Sequence, residues 1–251
     1  MSSPSSFLQG LALVDEVVRR ERSGRLVHNA SRLSEATGIE RSRVSRLTQE
    51  LRDVGFLERD DDALFGAGAD WFRTASALTR PWLRAARADL RRLAGAQGVT
   101  GMIAAADGPA AVLLRVERPN GADGGYLHPG ARVPIWCTGA GRALLWENTD
   151  ADIAVLLRDV QFVGVGGPAA ARSVADVLRL QARDRESGIV DAAQEYVEGV
   201  QEYALPLRGG SGIVGAVAVS MSPRGSRRTR ETREALRRIA DRLSAIARDA
   251  D

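Results

Sequence analysis

Residues 29–57 read NASRLSEATGIERSRVSRLTQELRDVGFL, and this stretch decides the architecture of the N-terminal part of the chain. Two apolar-periodic segments meet at a short turn. The first carries Leu33 and Ala36, and the turn is Thr37-Gly38-Ile39. The second carries Val44, Leu47, Leu51 and Val54, spaced as one stripe of an amphipathic helix. Gly38 stands where the first helix stops and the chain reverses, a position that favours positive φ. At about 100° per residue, Ser42, Ser45, Arg46, Gln49 and Asp53 fall opposite the stripe, with Arg41 and Arg43 on its flanks. Hydroxyls, an amide and guanidinium groups near a helix N-terminus suit phosphate oxygens and base edges, so residues 41–54 form a candidate recognition helix. The alternative is an ordinary helical pair with a solvated polar face.

The residues that follow favour DNA binding. Gly55-Phe56-Leu57-Glu58-Arg59-Asp60-Asp61-Asp62-Ala63-Leu64-Phe65-Gly66 reads as two short strands around an acidic turn, the pattern of a β-wing. The whole stretch resembles the winged helix of the IclR family of bacterial transcriptional regulators. The resemblance rests on Gly38-Ile39, on Arg41-Ser42-Arg43-Val44-Ser45-Arg46-Leu47 and on Val54-Gly55-Phe56-Leu57. The Asp60-Asp61-Asp62 tip departs from it, being acidic where phosphate would lie.

Composition sets the outer bounds. A chain of 251 residues, 44% apolar, is long enough for two domains with their own cores. No apolar run approaches the roughly 20 residues that span a bilayer. MSSPSSFLQG has neither the basic region nor the apolar core of a secretory signal, and its first six residues are Ser-rich and expected to be disordered. One cysteine, Cys137, excludes an internal disulfide and a thiolate cluster, and a cytoplasmic protein is expected. All 35 basic residues are arginine, for a net charge of +3. Residues 1–66 hold 10 Arg against 11 Asp and Glu, so any attraction to DNA depends on the local cluster Arg41, Arg43 and Arg46 rather than on global charge.

Residues 7–22 form a first helix with Phe7, Leu11, Val14 and Val18 on one face, supporting the helix-turn-helix. From residue 70 to about residue 95 the pattern is helical, with Trp71, Phe72, Leu78, Trp82, Leu83, Leu90 and Leu93 among arginines including Arg73, and Pro81 breaking the run. After Gly98 the texture changes. Residues 100–106 and 111–118 read as a hairpin, residues 119–125 as a loop, and 150–157 and 174–187 as helices, the latter ended by Gly188. Residues 203–207 and 213–220 read as strands joined by Arg208-Gly209-Gly210-Ser211-Gly212. A last helix over 229–248 buries Leu236, Ile239, Ala240, Leu243, Ile246 and Ala247. Nine arginines in 224–248 are read as solvated surface, with a second DNA contact as the alternative. The glycines of Val163-Gly164-Val165-Gly166-Gly167-Pro168 do not run from a strand into a helix, which excludes a dinucleotide fingerprint. The fold class is α+β, with a mainly antiparallel sheet in the C-terminal part.

Two further stretches are similar to the IclR-type effector domain, which has a GAF-like fold. One is Gly130-Ala131-Arg132-Val133-Pro134-Ile135-Trp136-Cys137-Thr138-Gly139-Ala140-Gly141-Arg142-Ala143-Leu144-Leu145. The other runs from Gly188 through Gly199 into Val200-Gln201-Glu202-Tyr203-Ala204-Leu205-Pro206-Leu207. The resemblance implies a winged helix-turn-helix over 1–68, a linker helix over 69–96 that helps dimerisation, and an effector-binding and oligomerisation domain over 97–251. It implies a homodimer or homotetramer on a palindromic operator of double-stranded DNA, with no membrane and no cofactor.

Thr138-Gly139-Ala140-Gly141 opens a helix whose small residues let a ligand approach backbone N–H groups, a setting that suits a carboxylate. The alternative is glycines that merely allow tight strand-to-helix packing. The resemblance places the Gly139-Ala140 pair in the effector pocket and matches its other polar positions to Ala192, Glu202, Val219 and Met221. Two of these are apolar outright, one is alanine, and one is an acid that repels a carboxylate when ionised. A larger, apolar or aromatic effector follows, with Trp136, Trp146 and Met221 lining the pocket beside Thr138; a degenerate, empty pocket is the rival. The competing class is a ligand-binding or hydrolytic α+β enzyme using Cys137, with His128 and Asp123 near it in sequence, whose helix-turn-helix serves protein contacts. A lone buried cysteine is a small hydrophobe, and two histidines, His28 and His128, cannot build a multi-histidine metal site.

Overall fold

A computed structural model of the chain describes residues 4–22, 28–71, 80–122 and 125–250. Phe72, Arg73, Leu78, Asp123 and the first three residues of the serine-rich N-terminus lie outside the described residues. The chain divides into two compact units, Met1–Thr79 and Arg80–Asp251.

The first unit contains α1 (Ser6–Arg22), α2 (Ala30–Thr37), α3 (Arg41–Asp53), β1 (Leu57–Arg59) and β2 (Phe65–Ala67). Asn29 caps α2 by accepting from the Arg32 N–H at 3.1 Å, and Gly38 ends it in the left-handed conformation at φ 69°. β1 and β2 pair antiparallel, with Leu57 opposite Ala67 and Arg59 opposite Phe65. The turn between them is tied by Asp60, whose carboxylate accepts from the Leu64 N–H at 2.8 Å. Leu13, Val14, Val17, Leu33, Ile39, Val44, Leu47, Leu57 and Phe65 form one core.

The apolar stripe of α1 is rotated from the expected one. Leu13, Val14 and Val17 are buried, whereas Phe7 and Leu11 are 72% and 46% exposed. The reason is a polar residue that the expected stripe left outside: Glu16 is buried, and its carboxylate meets the His28 Nε2 at 3.0 Å just before α2. In α3, Val44 and Leu47 are buried as expected. Thr48 joins them by back-bonding to the Val44 carbonyl at 2.8 Å, while Val54, beyond the helix end, is exposed.

The second unit contains α4 (Pro81–Gln97), β3 (Thr100–Asp107), β4 (Ala110–Glu117), β5 (Arg132–Pro134), α5 (Gly139–Leu144), α6 (Asp150–Leu156), α7 (Val174–Ser187), β6 (Val190–Ala193), β7 (Gln201–Gly209), β8 (Gly212–Met221) and α8 (Ser226–Arg248). Pro81 is the first residue of α4, where its missing N–H costs nothing, so the break expected there is a helix start. The six strands lie in the order β5-β4-β3-β8-β7-β6, all antiparallel. The short strands β5 and β6 were not apparent from the pattern. The chain is thus α+β, with a helix-turn-helix unit followed by an antiparallel-sheet unit.

Each sheet face has its own core. On one, Ile103, Tyr203, Leu207, Val217, Val219 and Met221 pack on Trp82, Ala86, Leu90 and Leu93 of α4 and on Leu236, Ala240, Leu243 and Ala247 of α8. On the other, Met102, Ala104, Ala192, Ala204, Ala216 and Ala218 pack on α5 and on the layer of α6 and α7 beyond it. No helix among the described residues is long and apolar enough to cross a membrane.

Candidate functional site

Two regions hold the expected functional residues. The first is the outer side of α3. Ser42, Ser45, Arg46 and Gln49 are exposed on the side away from Val44 and Leu47, and Arg41 is exposed on the flank. Arg46 only skirts Glu50, at 3.9 Å, and both side chains are largely in solvent. Gln49 is held between neighbours: its amide donates to Asp53 Oδ1 at 2.7 Å and its oxygen accepts from Arg52 at 3.1 Å. Arg43 is half-buried and turned back toward α1, where it donates to the Ser6 hydroxyl at 3.1 Å.

The N-terminus of α3 is already capped. The Glu40 carboxylate accepts from the Ser42 and Arg43 N–H groups at 3.0 and 3.3 Å and from the Ser42 hydroxyl. The Ser42 hydroxyl, followed by these backbone donors, holds the Glu40 carboxyl below the usual carboxylate range. A DNA phosphate therefore finds an acid, not free amides, at this helix end. The signal was in the sequence: an acidic residue immediately before the first helical residue.

The second region lies around the start of α5. Thr138 is the N-cap, its Oγ1 accepting from the Gly141 N–H at 3.1 Å and donating to the Pro134 carbonyl at 2.7 Å. Gly141 is required by packing, since a Cβ there would sit 2.3 Å from the Ile135 carbonyl oxygen. Gly139 faces Glu202, and its N–H donates to Glu202 Oε2 at 2.6 Å. Ala192 and Ser220 flank Glu202 in register on β6 and β8. Trp136 is buried and meets Phe162 edge-to-face at 5.5 Å, and Ala140 is buried in the same core. Trp136, Thr138, Gly139, Ala140, Ala192 and Glu202 are thus brought to one sheet face.

Val219 and Met221 are not. They point to the opposite face and pack with α4 and α8. Strand alternation is the reason: Ala218 and Ser220 share the face of Glu202, so the positions matched on the last strand are one residue out of phase.

Glu202 is 4% exposed. Burial pushes its carboxyl up to about 7, opposed by the Gly139 N–H and then by the Arg142 charge. Tyr126 and Tyr196 stack edge-to-face at 5.3 Å, and burial raises both phenols, with Glu202 adding to the rise.

The sequence analysis named Arg142 only as part of a motif, yet it is the hub of this region. It is fully buried on α5. Its Nε donates to Asp184 of α7 at 2.8 Å, Nη1 pairs with Glu195, and Nη2 reaches the Asp191 carbonyl at 3.1 Å. The visible signal was a single charged residue within Gly139-Ala140-Gly141-Arg142-Ala143-Leu144-Leu145, because an arginine in an apolar run needs acidic partners.

Of the components of the enzyme alternative, Cys137 and His128 are described and stand in different settings. Cys137 is fully buried, and burial pushes its thiol up to about 12. His128 is exposed, with Nδ1 3.2 Å from the Pro129 carbonyl. Among the described residues, no group of three or more His, Cys, Asp and Glu is placed to hold a metal.

Comparison with known proteins gives a consistent result. Residues 77–250 match the family model described as bacterial transcriptional regulator IclR C-terminal, and residues 19–61 match the IclR helix-turn-helix domain. Among solved structures, an IclR transcriptional regulator from Alicyclobacillus acidocaldarius is 16% identical, covers 95% of this chain and 98% of its own, and superposes with a TM-score of 0.81. Thermotoga maritima IclR is 17% identical, with 96% and 97% coverage and a TM-score of 0.74. An IclR homolog complexed with 4-hydroxybenzoate, from Microbacterium hydrocarbonoxydans, is 19% identical, with 95% and 98% coverage and a TM-score of 0.82. No curated protein matches the chain in sequence.

Proposed function

The chain belongs to the IclR family of bacterial transcriptional regulators, and from that premise we propose which residues carry its function. It is a DNA-binding, ligand-responsive regulator of transcription. α3 is the recognition helix. Arg46, Ser42, Ser45 and Gln49 read base edges in the major groove, and Arg41 and Arg43 bind phosphates, Arg43 after leaving Ser6. The observation that carries this assignment is the outer side of α3, where four hydrogen-bonding side chains stand exposed opposite a buried stripe. The operator is palindromic because the protein binds it as a homodimer or homotetramer, one recognition helix per half-site.

The winged helix occupies about residues 1–68, a linker follows to residue 96, and the effector domain completes the chain to residue 251. The effector site lies on the α5 face of the sheet, around Trp136, Thr138, Gly139, Ala140, Ala192 and Glu202. An aromatic or apolar effector accords with the rings gathered there and with the relative held with 4-hydroxybenzoate. Its binding shifts the population between DNA-competent and DNA-incompetent arrangements. The protein acts in the cytoplasm and catalyses no reaction. The buried, protonated Cys137 supports the latter reading.

The test is fluorescence anisotropy with DNA from upstream of the protein's own coding sequence, at two salt concentrations. Saturable, sequence-specific binding that weakens steeply with salt is expected. Arg46→Ala is expected to weaken operator binding about ten- to a hundredfold, the scale of one lost base contact, with an unchanged circular dichroism spectrum. Equal affinity would remove Arg46 from the interface.

A further inference from the structure

The backbone donor at the head of α5 already has a carboxyl group on it, and that group belongs to the chain. Glu202 Oε2 accepts from the Gly139 N–H at 2.6 Å. The contact is close: a Cβ on Gly139 would stand 2.9 Å from the Glu202 Cβ and 3.1 Å from Oε2. An external carboxylate would have to displace Glu202 and then lie beside its charge, a repulsion that low dielectric strengthens.

Among the described residues, Glu202 has no ion pair of its own. Arg142 is the guanidinium whose field reaches it, and that group is bound to Asp184 and Glu195. A carboxylate buried without a paired cation is costly to keep ionised. The surroundings suit a cation in another way. Tyr126 and Tyr196 both sense the Glu202 charge, and Tyr126, 38% exposed, brings the ring pair to the surface. Aromatic faces attract ammonium groups. On the same sheet face, the Trp136 Nε1 is buried and finds no hydrogen-bond partner among the described residues. The region therefore offers an acceptor carboxylate, aromatic faces and one unspent N–H donor.

We propose that Glu202 occupies, from within the chain, the place an effector carboxylate would take, so that this regulator responds to an organic ammonium ion with an apolar or aromatic body. The proposal rests on the effector site assigned above. The ammonium group donates to Glu202 and supplies the missing positive charge. A hydroxyl on the body of the effector satisfies the Trp136 N–H.

The experiment uses the full chain and two pairs of probes: benzylamine against benzoate, and tyramine against 4-hydroxybenzoate. Binding is read by calorimetry and by intrinsic tryptophan fluorescence. The wild type is expected to prefer the amines by at least about tenfold, the scale of one desolvated charge contact. Glu202→Gln keeps an acceptor for the Gly139 N–H and is expected to lose that preference. Glu202→Ala exposes the N–H and is expected to gain carboxylate binding. A thermal melt checks that each variant folds, and the wild-type selectivity decides the question if neither does. Tighter wild-type binding of the acids, or no amine binding at millimolar concentration, overturns the proposal. Operator binding by the wild type without ligand is measured alongside. Retained DNA binding with acid preference defeats the amine effector alone, whereas loss of specific DNA binding defeats the regulator assignment itself.

Discussion

The two faces of the six-stranded sheet are built from the same strands and do different work. Along β8, Ala216, Ala218 and Ser220 point to one side, and Val217, Val219 and Met221 to the other. The large side chains meet α4 and α8, long amphipathic helices that bury mainly apolar area, with Asp89, Thr232 and Ser244 among the few buried polar groups. The small ones meet α5, a helix of six residues that brings backbone donors and a buried arginine close to the strands. Small residues at the sheet surface make room for polar chemistry there. The face that accommodates Glu202 and Arg142 still packs an apolar core of its own around them, while the α4–α8 face packs the larger strand side chains.

That contrast can be attacked from either side. The largest effect is expected from Arg142→Ala, which takes the buried cation from Asp184 and Glu195 and leaves them only the half-exposed Arg183. It should cost about 3–5 kcal/mol of unfolding free energy in a denaturant titration. A cost below about 1 kcal/mol would mean that water relieves the site.

Next in size is a pH dependence confined to the polar face. Glu202 is raised from an ordinary carboxyl value to about 7 on folding. The folded state therefore binds this proton more tightly than the unfolded chain does. The stabilisation is fully present below the unfolded value of 4.5 and is lost as pH rises toward 7 and beyond. The total is on the order of 3 kcal/mol. Glu202→Gln should flatten that part of the stability curve between pH 5 and pH 8, and an unchanged slope would assign it to other groups.

The smallest effect sharpens the comparison on the other side. Val219→Ala removes two buried methyl groups from the α4–α8 core and should cost about 2 kcal/mol. The affinity of the best-binding amine should not change. An altered affinity would show that the two faces are coupled through β8.

Much of this was legible from residue order. Gly38 marked the helix reversal, the period of Val44 and Leu47 fixed the inner side of α3, and the acidic run at residues 60–62 marked the wing turn. The second hairpin and the last helix followed from equally clear patterns. Misreadings arose where a polar residue takes a core position. Glu16 is buried by its contact with His28, which turns α1 away from the face suggested by Phe7 and Leu11. In the effector region, Glu202 was identified as an acid out of place, but its contact with Gly139 joins residues 63 positions apart and leaves no trace in local spacing. Val219 and Met221 were misassigned for a different reason. They were placed by matching the resemblance along the last strand, yet the small–large alternation of β8 already put the small residues on the α5 face.

The strand order carries a consequence for how the protein is made. β3 pairs with β8 at the centre of the sheet, Thr100 opposite Ser220, so its partner leaves the ribosome roughly 120 residues later. At common rates of synthesis that delay is on the order of ten seconds. During it, the β3–β4 hairpin has one edge bare, and Met102, Ile103 and Ala104 lack the strand that later covers them. A bare apolar edge is where a nascent chain joins its neighbours wrongly. The N-terminal unit, by contrast, has the buried core of its described residues within residues 13–65, with Trp71 packed against it, and can fold before the sheet is half synthesised. A truncated transcript would thus release a finished DNA-reading module attached to an adhesive hairpin, a burden for chaperones rather than a regulator.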